Sequence, residues 1–278
     1  MRLQFRFKKK PRKFYKSTEF IEILNITKIY RISKNPKIVL RNINLMITRG
    51  EIVAIIGKSG QGKSTLLYAI AGLEPIDSGH IFVNGVNVWQ LTSKQRTHFR
   101  HMNIGFIFQN FNLIPNLTAA ENINLPLRLL QNRQKRKLRK LIKVNKNSYS
   151  MAKNRVSSLM SALGLHNLQG HTPEQISGGE QQKVAIARAL VLIPDLILAD
   201  EPTGNLDEET SFEVMDLLTQ VSRENRQTFI YATHDIYAAL FADRILSLQN
   251  GEIHELIRFD KNDDMEERYR KFSEIRGR

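Results

Sequence analysis

The sequence predicts an α/β fold built on a parallel sheet, entered through an antiparallel β layer and interrupted by a helical region. Three observations predict it. Residues 18–31 (TEFIEILNITKIYR) and 36–48 (PKIVLRNINLMIT) alternate apolar and polar side chains as half-buried strands do, on either side of the turn-forming Ser33-Lys34-Asn35-Pro36. Short apolar runs at 51–56, 196–199 and 228–232 suit strands covered on both faces. Helix-period segments such as 64–72 and 180–192 lie between those runs, and alternating strands and helices mean a parallel sheet with crossover helices.

With 278 residues the chain can bury a large core without covalent staples. It has no Cys, which excludes disulfides, thiol catalysis and Cys-ligated zinc or iron–sulfur sites. The net charge of +15 would suggest a phosphate-bearing partner, but its distribution argues otherwise. Residues 1–16 carry eight Lys or Arg and no acid, residues 131–155 carry ten and no acid, and the rest of the chain is therefore near neutral at −3. The most apolar stretch, 184–199, contains Arg188, Pro194 and Asp195 and is too polar to cross a bilayer. The basic N-terminal segment lacks the apolar core of a secretory signal, which leaves two readings: an organelle presequence, or an arm that is solvated or touches lipid.

The order of segments follows from these patterns. A basic arm occupies 1–17. From about 110 to 175 the pattern is helical, with no acid between Asn122 and Pro173. Within that region 131–155 reads as a basic insertion, followed by Met151, Val156, Leu159, Met160 and Leu163 as a core-facing stripe. The segment 256–278 is charged and poor in apolar residues, as in a solvated helix or a disordered tail.

The strongest chemical signal is Gly57-Lys58-Ser59-Gly60-Gln61-Gly62-Lys63-Ser64-Thr65, which fits G-x-x-x-x-G-K-[ST] between an expected strand and an expected helix. Gly57, Gly60 and Gly62 let successive N–H groups turn inward onto a phosphate, and the positive end of the following helix adds to the attraction. A nucleoside triphosphate is implied. Lys63 would neutralise its β and γ oxygens, and the Ser64 hydroxyl would ligate Mg2+, a hard ion that takes oxygen ligands. The second signal is Asp200-Glu201, two carboxylates at the C-terminal end of the run 196–199, where ligands collect in open α/β sheets. Asp200 would hold Mg2+, and Glu201 is placed to polarise the attacking water.

With Ile176-Ser177-Gly178-Gly179-Glu180 ahead of Asp200, the chain resembles the ATP-binding-cassette ATPases, whose signature is LSGGQ. Ser177, Gly178 and Gly179 open a helix whose N–H groups face an anion. The resemblance covers about 18–255 and implies a phosphate-loop cassette: a RecA-like parallel sheet, an antiparallel β subdomain and a helical subdomain. It also implies roles for further residues. Tyr30 would stack on adenine, although it reads equally as a strand aromatic in the core. Gln109 would sense Mg2+ and face a membrane partner, Asn205-Leu206-Asp207 would be the family's D-loop, and His234 would be the switch histidine. The strings 104–127, 177–190 and 199–210 resemble the lipoprotein-release, macrolide-efflux and cell-division branch. Departures are Ile176, Glu180, the insertion 131–155 and both terminal extensions.

The resemblance implies ATP and Mg2+ as cofactors and a head-to-tail homodimer of cassettes, in which the signature of one covers the phosphate loop of the other. It further implies a separate transmembrane permease, gripped around Gln109 and Phe111–Leu117, and a peripheral location on the cytoplasmic, stromal or matrix face of a membrane. Nucleic acid is not expected as a partner. Two alternatives stand beside transport: force transmission to cell-wall enzymes, and a nucleic-acid-acting cassette ATPase.

Overall fold

The computed structural model describes residues 19–31, 36–133 and 156–276. The basic arm, the turn at Ser33–Asn35, most of the segment 131–155 and Met151 lie outside the described residues. The first two strands, β1 (Glu19–Tyr30) and β2 (Lys37–Thr48), pair antiparallel, with Ile23 opposite Leu45 and Ile26 opposite Ile43, so their alternating apolar residues share one face. Two further strands that the sequence patterns did not reveal, β4 (Ser78–Val83) and β5 (Val86–Asn87), complete a four-stranded sheet ordered β2-β1-β4-β5.

The second sheet has six strands in the order β10-β9-β3-β8-β7-β6. Its centre is β3 (Ile52–Ile56), β8 (Thr228–Thr233) and β7 (Leu196–Asp200), the three apolar runs, and they are parallel. Parallel neighbours β6 (Ile104–Ile107) and β9 (Arg244–Gln249) and the antiparallel edge β10 (Glu252–Arg258) escape the sequence pattern. The reasons are local: β6 is four residues long and contains Gly105, and β9 opens on a buried Arg244.

Alternation in the central strands divides the core in two. Ile52, Ala54, Phe229 and Tyr231 face one side, with helices α5 (Gly178–Leu190) and α6 (Glu208–Asn225). Val53, Ile55, Ile230 and Ala232 face the other, where α1 (Lys63–Ile70) and the antiparallel sheet cover them. In the helical region, α3 (Ala119–Arg133) and α4 (156–162) bury Ile123, Leu127, Leu159 and Met160, and Leu163 just beyond α4 joins them.

The last segment departs from expectation. Strand β10 runs through position 255, and α8 (Met265–Arg276), the next helix after the short α7 (Ile236–Ala239), is packed on one face. Phe259 and Phe272 are buried in the larger core, and the buried Arg268 donates from Nη1 to the carbonyls of Leu240 and Ala242, both at 2.8 Å. Arg268 and Phe272, one turn apart on this helix, seat one face of it beside Phe259, although its composition is dominated by charge.

Candidate functional site

The phosphate loop follows β3 and feeds α1. Helices α2 (Ser93–Asn103), α5 and α6 each begin with a side chain capping their first N–H groups: Thr92, Ser177 and Asp207. Helix α1 begins at Gly62 with no side-chain cap, so its open N–H groups face the loop, as anion binding requires. Gly62 has φ 101°, and a Cβ there would sit 2.7 Å from Val39 Cγ1, so this turn can be made only by glycine.

A cavity of about 810 Å³ opens over the loop. Ser59, Gly60, Gly62, Lys63, Ser64 and Thr65 line its floor; Gln109, Glu201 and His234 line one side. Tyr30, Lys37 and Val39, from the first two strands, form the remaining wall. Tyr30 is half-buried at this wall and belongs to neither core. Gly57, Lys58, Gln61 and Asp200 are absent from the lining. A Cβ on Gly57 would lie 2.5 Å from the Leu248 carbonyl of β9, so this glycine lets the loop lie against the sheet.

Lys63 Nζ donates to the Gly57 carbonyl at 2.8 Å and lies 3.7 Å from Glu201 Oε1. The ammonium is thus held ready at the cavity floor. Asp200 is buried at the end of β7, with Oδ1 accepting from Ser64 Oγ at 2.9 Å and Oδ2 accepting from Tyr68 at 3.2 Å. Burial pushes the Asp200 carboxyl above its ordinary value while these two hydrogen bonds oppose the shift. Burial and the neighbouring Asp200 push the Tyr68 phenol up to about 12, so it stays a donor. Sequence reasoning passed over Tyr68, yet it lies one helical turn beyond Ser64 and therefore on the same face of α1. Ser64 and Asp200 together offer two oxygen donors beside the phosphate loop, a set that fits Mg2+.

Glu201 follows β7 with φ 49°, a left-handed conformation uncommon outside glycine that turns its side chain into the cavity. Its Oε2 lies 2.9 Å from His234 Nδ1 and accepts the His234 backbone N–H at 3.3 Å. Gln109 sits after β6, and its carbonyl accepts from Asn205 Nδ2 at 3.0 Å. Among the described residues no cluster of three or more His, Asp or Glu could hold a metal by itself, and no helix is long and apolar enough to cross a membrane.

Ser177, Gly178 and Gly179 do not reach this cavity. Ser177 caps α5 in a reciprocal box with Glu180, and Gly179 lies near Leu206 and Thr210. The N-terminal end of α5 therefore contributes no residue to the lining of its own chain's cavity. Of the apolar residues 111–117, Ile114 is exposed whereas Leu113 packs on the larger core.

Comparison with known proteins extends this picture. A family model described as ABC transporter matches residues 40–204. The ABC transporter ATP-binding protein YtrE of Bacillus subtilis (strain 168) is 41% identical over 235 residues, covering 83% of this chain and 95% of the relative. The lipoprotein-releasing system ATP-binding protein LolD of Wigglesworthia glossinidia brevipalpis is 38% identical over 230 residues, covering 83% and 94%. A solved dimer of the ATP-binding cassette MJ0796 in a post-hydrolysis state with ADP and Pi superposes with a TM-score of 0.74. It is 37% identical and covers 86% of this chain and 100% of that one.

Proposed function

This chain belongs to the ABC transporter family, and on that premise we propose that it binds Mg-ATP at the phosphate loop and hydrolyses it with Glu201 as the base, driving a separate membrane permease. The observation that carries the reading is the convergence of Lys63, Glu201, His234 and Gln109 on one cavity beside an uncapped helix N-terminus. ATP hydrolysis by a cassette dimer and coupling to a permease are properties of the family. The residue roles are our assignment.

The mechanism follows from what each side chain can do. The N–H groups of Gly60–Thr65 and the Lys63 ammonium receive the phosphates, and the triphosphate takes over the charge that Lys63 now shares with Glu201. Ser64 and Asp200 would hold Mg2+, which when bound neutralises charge on the phosphate oxygens. Glu201 accepts a proton from the attacking water. With Glu201 ionised, His234 donates its Nδ1 proton to Oε2, which fixes the carboxylate and leaves the outer ring nitrogen toward solvent and the approaching second cassette. Tyr30 stacks on the base from the cavity wall. Because the N-terminal end of α5 does not line its own cavity, Ser177–Gly179 serve the partner's nucleotide, and the site is completed by a head-to-tail dimer.

The permease docks beside Gln109, on the exposed Ile114 and its neighbours, at the cytoplasmic, stromal or matrix face of the membrane. The relatives named above belong to release and transport systems, and export is the direction we infer from them. The decisive measurement is nucleotide binding by the purified chain. Lys63→Ala should abolish saturable Mg-ATP binding, and wild-type affinity in that variant would remove the assignment. Ile114→Asp should leave ATP binding intact and end co-purification with the membrane partner; unchanged association would move the docking surface elsewhere.

A further inference from the structure

Helix α5 carries the signature at its N-terminus and Arg188 in its last turn, about 16 Å away at 1.5 Å per residue. Arg188 reaches the loop that follows β6: Nη1 donates to the Asn112 carbonyl at 2.6 Å and Nη2 donates to the Phe111 carbonyl at 2.7 Å. Both accepting residues are left-handed, with φ 57° at Phe111 and 49° at Asn112. This tight turn presents two consecutive carbonyls to one planar guanidinium, a geometry that Lys cannot reproduce. Among the described residues Arg188 is within ion-pair distance of no carboxylate, so the charge of this half-buried side chain is met by these carbonyls. Burial correspondingly lowers its pKa from the usual guanidinium value.

The turn begins two residues after Gln109, whose side chain lines the nucleotide cavity and whose carbonyl is held by Asn205. Next to Arg188, the Ala189 carbonyl lies so close to β6 that a Cβ on Gly105 would come within 2.5 Å of it. The C-terminal end of α5 is therefore seated against the central sheet, with the Gln109 loop clamped beside that seat. A helix seated at one end and pulled beside the seat swings at its far end, where Ser177, Gly178 and Gly179 lie.

We propose that Arg188 is a positioning residue that transmits the state of the nucleotide site from the Gln109 loop to the signature end of α5, and so sets how well that end closes on the partner's ATP. The inference rests on the proposed roles of Gln109 and of the signature. Its physical content is a coupling between two sites through one bidentate contact.

The test is a double-mutant cycle on ATP-dependent dimerisation of the full chain, measured by sedimentation in the slow-turnover Glu201→Gln background with Mg-ATP. Arg188→Met should weaken dimerisation by about 3- to 30-fold, while ATP affinity of the monomer stays within about twofold. Arg188→Lys, which retains the stem and charge but not the fork, should fall between the two, and it replaces Arg188→Met should that variant fail to fold. In a Gln109→Ala background the same substitution at Arg188 should add almost nothing, because the signal it carries is already missing. A purely structural Arg188 would instead give additive losses in the cycle, and either additivity or undiminished dimerisation would overturn the proposal. If the Glu201→Gln parent shows no ATP-dependent dimer at all, the composite-site reading fails first, and Arg188 with it.

Discussion

Glu201 and His234, separated by 33 positions, meet at 2.9 Å through Oε2 and Nδ1, while the other Glu201 oxygen faces Lys63 at 3.7 Å. The carboxylate is thus held between an imidazole and the ammonium at the cavity floor. Its side chain is 11% exposed while that of His234 is 67% exposed, which places the carboxylate inside and the imidazole at the rim.

Glu201→Gln preserves shape but cannot take a proton. Turnover should fall by about 10²- to 10⁴-fold, the usual worth of a general base, with ATP binding retained. His234→Ala should lower kcat with little change in ATP affinity, because it loosens the base without touching the phosphate loop. Steady-state kinetics with parallel nucleotide binding check both; near-parental kcat in Glu201→Gln would reassign the base.

Asp200 gives a pH-dependent prediction whose sign can be worked out. Burial raises its pKa in the folded, nucleotide-free protein above the ordinary 3.8. Below that ordinary value the group is protonated in both states and costs nothing. As pH rises through the interval up to the raised value, the folded state binds more protons than the unfolded chain, so stability falls and then levels off. Asp200→Asn removes the charge. It should raise the Tm of the nucleotide-free protein at neutral pH, by an amount that shrinks as the pH is lowered through the titration, while hydrolysis is lost. A Tm difference independent of pH in thermal scans would assign the gain to another cause.

Gly57→Ala should be costly despite the small change, because the new methyl would press on the Leu248 backbone carbonyl at 2.5 Å and also lies 3.0 Å from Gln61 Oε1. Crowding of this kind destabilises by about 1–3 kcal/mol, and the displaced loop should lose ATP affinity as well. Urea denaturation and nucleotide titration test the two effects separately. Gly60→Ala is the contrast: nothing lies within 4 Å of a Cβ there, so only the strain of φ 75° opposes it.

The C-terminal helix should be part of the cooperative fold. Phe272→Ala removes a side chain that is 2% exposed in the larger core and should cost about 3–5 kcal/mol. A solvated tail would tolerate the same change without loss, so an unaltered denaturation midpoint would refute the packing of α8.

Much of the site was legible in the order of residues because the chemistry of a phosphate loop is local. Gly57 through Thr65 need only each other and the first turn of α1 to present N–H groups, and Asp200-Glu201 needs only the strand before it. The three central strands were legible for a similar reason, since burial on both faces leaves an unbroken apolar run. Strands β6 and β9 were hidden by Gly105 and Arg244, residues chosen by contacts with Ala189 and with Glu51 and Glu255 rather than by strand pattern. The charged tail concealed a buried face carried by a few residues.

By itself the sequence determined the phosphate-binding chemistry, because a phosphate loop is written in contiguous residues between a strand end and a helix terminus; the family came from the resemblance carried by Ile176–Glu180, and the second cassette from what that resemblance implies. Only the tertiary structure decided that Tyr68 reaches Asp200 across 132 positions, that Glu201 shares His234 and Lys63, and that Arg188 grips the loop of Gln109. Those contacts join residues that local spacing cannot relate. They form when the sheet stacks distant strands side by side and close packing favours the arrangement that satisfies most of the buried polar groups.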